Sequence, residues 1–256
     1  MAILKRMDGT VIADDPMKSI AQLASENRAN LEGADLAGAD LRNADLWGSH
    51  MNDADLTRAR LDGAWIDCSD MNGTCLREAD LTDASCAGSH MHGADLADAI
   101  LTRADLTAAQ LTGADMTRIH AQAACLRNAS MPGADLTNAD LEGASLEGAD
   151  LDETRIDGVS AAGASFYAAS LHDASMEGSD FEDAGFPDAD MTGASMDGSR
   201  FAGCEMTGAN LAGVHARGAD LHHAMLAGAW LDGAELPADP TIADMSNTHG
   251  TPGMGI

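Results

Sequence analysis

A five-residue register runs through this chain from Ala29 to Ala238 without a slip. It consists of 42 consecutive pentads of the form small–polar–apolar–x–x, in which the apolar residue first stands at Leu31 and last at Leu236. A fixed short period over most of a chain is typical of a solenoid, where each unit buries its apolar face only against its neighbours. The period therefore predicts one elongated repeat domain.

The number five excludes the two ordinary regular structures. Five residues of α-helix rotate about 500°, so apolar residues at that spacing would spiral around the helix and form no stripe. In a continuous strand an odd period would turn successive apolar residues to opposite faces. Each pentad must therefore be a short extended piece followed by a corner, with the small and the apolar residue both pointing inward.

The occupancy of the slots agrees with this scheme. The small slot holds Ala, Ser, Thr or Cys in 39 of 42 pentads, and the final slot holds 22 of the 27 glycines, as expected at tight corners. Three small slots are oversized, and in each case the apolar slot two residues later is only alanine: Ile119/Ala121, Val159/Ala161 and Val214/Ala216. Exchange of volume is tolerated where both side chains enter one close-packed interior.

Units such as Ala34-Asp35-Leu36, Ala44-Asp45-Leu46 and Ala209-Asn210-Leu211 resemble the A(D/N)LXX consensus of the pentapeptide-repeat family. This resemblance implies an all-β solenoid, a right-handed quadrilateral parallel β-helix with four pentads per coil. Residues 29–238 would then form about ten coils, stacked at the ~4.8 Å spacing of paired strands. At twenty residues per coil, Phe181 stacks on Phe201, and Phe166 stacks on Phe186 in the adjacent column.

The ends of a solenoid expose core and strand edges and need cover. Residues 1–28 read as a small hairpin around Asp8-Gly9, followed by a capping helix that opens at Asp15-Pro16 and runs to about Glu26. Residues 239–256 read as a polar C-terminal tail. Because Met225 and Trp230 occupy outward slots near this end, they predict self-association, a homodimer through the C-terminal coils. The alternative is that the tail folds back over this end.

The formal net charge of −28 disfavours direct binding to nucleic acid and to anionic membranes. Two interpretations of the acidity stay open: a solvated surface that keeps the repeat soluble, or a surface for a basic protein partner. No stretch has membrane-spanning length, and five scattered cysteines argue against a disulfide framework. We therefore expect a cytoplasmic protein.

Nothing in the repeat indicates catalysis, a cofactor or a metal. The chain has no phosphate loop, GxSxG or HExxH motif, and its carboxylates are too numerous for a pair to be informative. His50 and His90 share a column two coils apart with Asp70 between them, which is too far for one ion without that carboxylate. We expect a protein that is not an enzyme.

The function predicted from these features is a non-enzymatic, acidic, rigid scaffold for protein–protein interaction, within a larger assembly. The resemblance implies an alternative, since some members of the family imitate DNA, bind a type II topoisomerase (gyrase), and inhibit it or protect it from quinolones. For that alternative, one outward column of carboxylates would face the partner: Asp35, Asp55, Asp95, Asp115 and Asp135. Exposed Trp47 and Trp65 are further predicted contact residues.

Overall fold

The computed structural model describes residues 2–237 and 244–254, and it begins with a hairpin that covers the first coil. Strands β1 (Ala2–Arg6) and β2 (Val11–Asp15) pair antiparallel, and β1 also pairs antiparallel with β3 (Ala34–Asp35), the first extended piece of the repeat. Leu4 in β1 is fully buried. The open edge of the first coil is therefore paired within the chain at Ala34–Asp35.

The helix of the N-terminal segment begins later than the sequence suggested. Helix α1 spans Ile20–Glu26, and Ser19 caps it with a capping box in which Gln22 is the reciprocal partner. Asp15 ends β2, and its carboxylate accepts the Met17 amide at 2.9 Å. Asp15-Pro16 is thus a turn after the hairpin, and a short 3-10 turn, Arg28–Asn30, leads from α1 into the repeat.

The pentads close into coils of four sides. Parallel bridges join residues twenty apart along the whole repeat, for example Asp35 to Asp55 and His215 to Glu235. We number the four faces by their central residues: face 1 through Leu31 and Met51, face 2 through Leu36, face 3 through Leu41 and face 4 through Leu46. Each coil therefore adds one pentad to every face, and each face is a ladder of very short parallel strands.

Both predicted inward slots are buried. The central residues from Leu31 to Leu231 are at most 4% exposed, and the small residues beside them are at most 7% exposed from Ala44 to Ala234. The oversized Ile119 and its compensating Ala121 both have no exposed area, so the two slots share one interior. Phe166 stacks on Phe186 with 4.6 Å between ring centroids, and Phe181 stacks on Phe201 at 4.9 Å.

The corners take a backbone that glycine adopts most easily. In every described pentad the final slot has a positive φ, near +60°, whether or not glycine occupies it. The amide after the corner donates to the carbonyl of the central residue, as Ala34 does to Leu31 at 3.0 Å. Because of this turn, the central residues of successive pentads all point inward although the period is odd.

The C-terminal segment adds to the ladder. Asp244 pairs in parallel with Met225, and His249 pairs in parallel with Trp230. Strand β4 (Glu235–Leu236) pairs with β5 (Gly253–Met254). Residues 244–254 therefore pair with the last coil of the repeat, which agrees with the alternative that the tail folds back over this end. Residues 238–243 lie outside the described part.

Candidate protein-binding surfaces

Most polar side chains of the repeat occupy the outward-facing positions of the pentads. Within residues 2–237 and 244–254, no three or more His, Cys, Asp or Glu side chains are placed to hold a metal ion. No helix in this same described part is long and apolar enough to cross a membrane. The features that distinguish one region from another are charge and exposed aromatic side chains.

The predicted acidic column lies along face 2. Backbone bridges connect Asp35 to Asp55, and Asp95 through Asp115 to Asp135. Cys75 stands between the two groups and interrupts the column. Several of these carboxylates accept the backbone amide two residues later, as Asp115 does from Thr117 at 3.0 Å. The predicted column therefore consists of two shorter stacks, one of Asp35 and Asp55 and one of Asp95, Asp115 and Asp135.

Arginines on faces 2 and 3 neutralise part of the acidity there. Arg77 pairs with Asp95 at 3.2 Å, and Arg155 approaches Asp135 at 3.6 Å, so two members of the predicted column face a cation. Other arginines bridge successive coils in bidentate pairs, as Arg118 does with Asp98 at 2.7 Å. These two faces carry nine of the fourteen basic residues: Arg42, Arg58, Arg60, Arg77, Arg103, Arg118, Arg155, Arg200 and Arg217.

The pairs hold their carboxyl groups ionised. The hydrogen bond from Arg42 lowers the pKa of Asp40 to about 2. Arg103 and Arg118 lower the pKa of Asp83 and Asp98 in the same way. All of these groups are exposed, so water and salt reduce the contribution of the pairs to stability.

Face 1 differs because its pentads contain neither lysine nor arginine. Between residues 29 and 233 its pentads contain no Lys or Arg, and they contain nine carboxylates: Glu32, Asp53, Asp70, Asp150, Asp152, Glu153, Asp173, Asp190 and Asp232. Sequence analysis missed this face because its acidity is spread over three slots of the pentad. Sorting every charged residue by its position in the twenty-residue coil would have found it.

The histidines and cysteines are accounted for by local contacts. Asp70 accepts a hydrogen bond from His90 at 2.9 Å and lies 3.8 Å from His50, so the three form a polar stack on face 1. Burial raises the pKa of the Cys86 and Cys204 thiols to about 12, which keeps both protonated. Such thiols behave as small apolar groups and are poor nucleophiles.

The exposed aromatic residues are distributed unevenly. Trp47 and Trp65 lie on adjacent coils of face 4 and are 55% and 66% exposed. Met225 is also on face 4, whereas Trp230 is on face 1, where its ring stacks on His249 at 4.4 Å. The two residues predicted to mediate self-association therefore lie on neighbouring faces.

Comparison with known proteins identifies the repeat. The family model "Pentapeptide repeats" matches residues 29–64, 44–83, 79–118, 122–158, 164–203 and 199–236. Among curated proteins, none matches the chain.

Solved structures of several repeat proteins are similar to it. HetL, a pentapeptide repeat protein involved in heterocyst differentiation regulation in the cyanobacterium Nostoc sp. strain PCC 7120, is 30% identical over 81% of this chain and 95% of its own, with a TM-score of 0.31. QnrB1, a plasmid-mediated fluoroquinolone resistance protein, is 16% identical over 69% of this chain and 89% of its own, with a TM-score of 0.39. A pentapeptide repeat protein of the Arabidopsis thaliana thylakoid lumen is 30% identical over 41% of this chain and 63% of its own, with a TM-score of 0.20. The repeat that fills most of this sequence therefore makes the chain a member of the pentapeptide repeat family.

Proposed function

We propose that this protein is a non-enzymatic scaffold that binds a basic protein partner through the acidic side of its rod. The observation that carries the proposal is face 1, where nine carboxylates stand with no Lys or Arg in the same pentads. On faces 2 and 3, by contrast, arginines form ion pairs with carboxylates of the chain, as Arg118 does with Asp98. Uncompensated negative charge on one side attracts and orients a positively charged partner.

Rigidity supports the same proposal. The central side chains fill the interior, and each coil is joined to the next by backbone hydrogen bonds such as Leu36 to Asp55 at 2.8 Å. Outward side chains are consequently held at the ~4.8 Å spacing of the ladder. A surface fixed before binding loses little conformational entropy when a partner docks.

Capture from native extract with matched variants tests the proposal. The test variant neutralises three carboxylates of face 1: Asp150→Asn, Asp152→Asn and Glu153→Gln. The control removes the same charge from face 3: Asp80→Asn, Asp140→Asn and Glu142→Gln. We expect the wild type and the control to retain one or more basic proteins that the test variant loses. Equal capture by all three chains, or capture of nothing above background, would contradict the proposal.

Imitation of DNA is the second candidate function, and the stacked carboxylates of face 2 favour it. Bridged neighbours such as Asp115 and Asp135 lie one coil apart, and alternate members two coils apart, so their spacing is about 5–10 Å, comparable with that of phosphates on DNA. Arg77 and Arg155 beside this column reduce its charge. A gyrase supercoiling assay decides: no change at a tenfold excess of this protein over enzyme excludes this function.

A homodimer through the C-terminal coils has less support than the sequence alone suggested. Residues 244–254 pair with the last coil, and the central residues Leu226 and Leu231 have no exposed area. Met225 and Trp230 are 40% and 50% exposed, but on different faces. Light scattering coupled to size exclusion distinguishes the chain mass of 26.3 kDa from twice that value.

A further inference from the structure

A furrow crosses the corner between faces 4 and 1 near the C-terminal end of the rod. One coil contributes small side chains at Gly208 and Ala212, with Asn210 between them. In the coil before it Asp188 is larger than Gly208, and in the coil after it Trp230 and Asp232 are larger than Asn210 and Ala212, so the middle coil forms a floor between two walls. The cavity has a volume of about 510 Å³, and its walls consist of Asp188 and Asp190 on one side and Trp230 and Asp232 on the other.

The width of this furrow follows from the spacing of the coils. Asp190 and Trp230 stand forty residues apart in one column, connected through Asn210 by two successive bridges. At ~4.8 Å per coil the backbones of the two walls are about 10 Å apart. Asn210 lies midway between them, and its side-chain oxygen accepts the Ala212 amide at 3.2 Å, so it lies along the floor. The furrow therefore suits a single long side chain projecting from a partner.

Charge selects the kind of side chain. Three carboxylates line the furrow. The two arginines of these coils, Arg200 and Arg217, lie on faces 3 and 2 and pair there with Asp180, Glu182 and Glu235. Asp190 accepts the Thr192 amide at 3.1 Å, and none of the three furrow carboxylates is in an ion pair with a described residue. The negative charge of the furrow is available to a cation from outside.

Trp230 supplies a second recognition element on the C-terminal wall. His249 of the following coil stacks on one face of the indole, at 4.4 Å between ring centroids and 28° between the planes. Since Asn210 precedes Trp230 in the column, the other face of the indole is turned towards the furrow. The face of a tryptophan ring attracts a Lys or Arg cation within about 6 Å.

We propose that this furrow binds a lysine or arginine side chain of the protein partner, with Trp230 as the platform and Asp188, Asp190 and Asp232 as the counter-charges. The inference rests on the proposed function, because it places the anchoring cation of the basic partner at one point on the acidic side. It also assigns a role to residues 244–254, since His249 holds the indole from behind.

Titration with short peptides tests the furrow in the full chain. The probes are acetylated pentapeptides of four glycines around a central arginine, lysine, norleucine or glutamate, at about 0.15 M salt. The observable is the indole Nε1–H signal of each tryptophan, assigned with single Trp→Phe variants. We expect a saturable shift of the Trp230 signal with arginine and lysine, none with norleucine or glutamate, and no shift at Trp47 or Trp65.

Charge-matched variants complete the test. Replacing Asp188, Asp190 and Asp232 with Asn keeps the side-chain shape and should weaken peptide binding by about tenfold or more. The face 3 control, Asp80→Asn, Asp140→Asn and Glu142→Gln, should change it by less than about twofold, since exposed charges beyond a Debye length are screened. An unshifted Trp230 signal, binding of norleucine as strong as lysine, or equal weakening in both variants would overturn the proposal.

The two proposals fail separately. If the peptides leave Trp230 unaffected while partner capture still depends on Asp150, Asp152 and Glu153, then the furrow proposal is wrong and the scaffold proposal stands. If the peptides bind at Trp230 but no basic protein is retained from extract, then the furrow is a cation site and the scaffold proposal is wrong.

Discussion

At the scale of single residues, the final slot of the pentad is where the repeat is strained. Its φ lies near +60° even where the residue has a Cβ, as at Ala108, Ala123 and Ala168. For a residue with a side chain this left-handed conformation costs roughly 1–2 kcal/mol, whereas glycine adopts it freely. This backbone conformation explains why most glycines occupy the final slot. The other residues in this slot are strained, so replacing them with glycine should stabilise the fold.

Ala123→Gly should therefore stabilise the protein. Ala123 has a φ of +55°, and the strain that glycine relieves there exceeds the entropic cost of a more flexible unfolded chain. We therefore expect the free energy of unfolding to rise by about 0.5–1 kcal/mol. Thermal unfolding followed by circular dichroism measures it as a raised midpoint. Ala162→Gly is the matched control: its φ is not positive, so the same change should lower the midpoint. Shifts of the same sign in both variants would contradict this explanation.

Asp40 should titrate far below an ordinary aspartate. The hydrogen bond from Arg42 lowers its pKa from 3.8 to about 2, and a carboxyl ¹³C titration should show that midpoint. Because the folded pKa lies below the unfolded one, the stabilisation is present above about pH 4 and is lost as the pH falls towards 2. In Arg42→Gln the midpoint should return towards 3.8; a midpoint unmoved by this change would show that Arg42 is not the cause.

At the scale of the coil, two inward slots share one volume. Ile119 and Ala121 reverse the usual small–large order and are both completely buried. Ala121→Leu alone should overpack the coil at a cost of about 1–3 kcal/mol, and Ile119→Ala alone should leave a cavity costing about 2–5 kcal/mol. The double variant restores the common order and should unfold within about 1 kcal/mol of the wild type.

Urea unfolding of the four chains measures this exchange as a double-mutant cycle. The double variant should be more stable than Ile119→Ala, which requires a strongly favourable coupling between the two positions. Additive effects would mean that the two side chains enter separate spaces, in conflict with the buried pair in the structure.

The sequence predicts those parts of the fold that follow the five-residue repeat. The five-residue period, together with the four-pentad coil that the family resemblance implies, gives the twenty-residue stacking and places Asp115 one coil before Asp135. The C-terminal segment could not be read in this way. The step from Met225 to Asp244 is nineteen residues, and the step from Glu235 to Gly253 is eighteen. Residues 244–254 join the ladder through backbone pairing and through the stacking of His249 on Trp230, and neither contact requires the five-residue pattern.

The candidate surfaces were predictable only in part for a related reason. The Asp column uses one slot of the pentad and is visible in the sequence. The furrow at Trp230 depends on two small residues, Gly208 and Ala212, that lie beside the larger Asp188 and Asp232 of the neighbouring coils. A surface defined by where side chains are missing becomes visible only after the coils are stacked.

At the scale of the whole molecule, the faces differ in how their acidity is balanced. Faces 2 and 3 carry arginines that pair across coils, as Arg58 does with Glu78 at 2.8 Å, whereas face 1 has none. Exposed pairs contribute only about 0–1 kcal/mol each. The repulsion among the carboxylates of a chain with net charge −28 is therefore the larger electrostatic effect on stability.

Added salt should accordingly stabilise this protein. Raising NaCl from about 0.02 M to about 0.5 M shortens the screening length several-fold and weakens repulsion over the whole rod. We expect the thermal midpoint to rise.

Neutralising Asp150, Asp152 and Glu153 on face 1 should raise the midpoint at low salt and reduce its dependence on salt. Neutralising Asp83, Asp98 and Asp180, which are paired with arginines, removes the same charge but also removes attraction, so the gain should be smaller. A midpoint that falls with salt, or equal gains in the two variants, would show that the unpaired acidity of face 1 does not dominate.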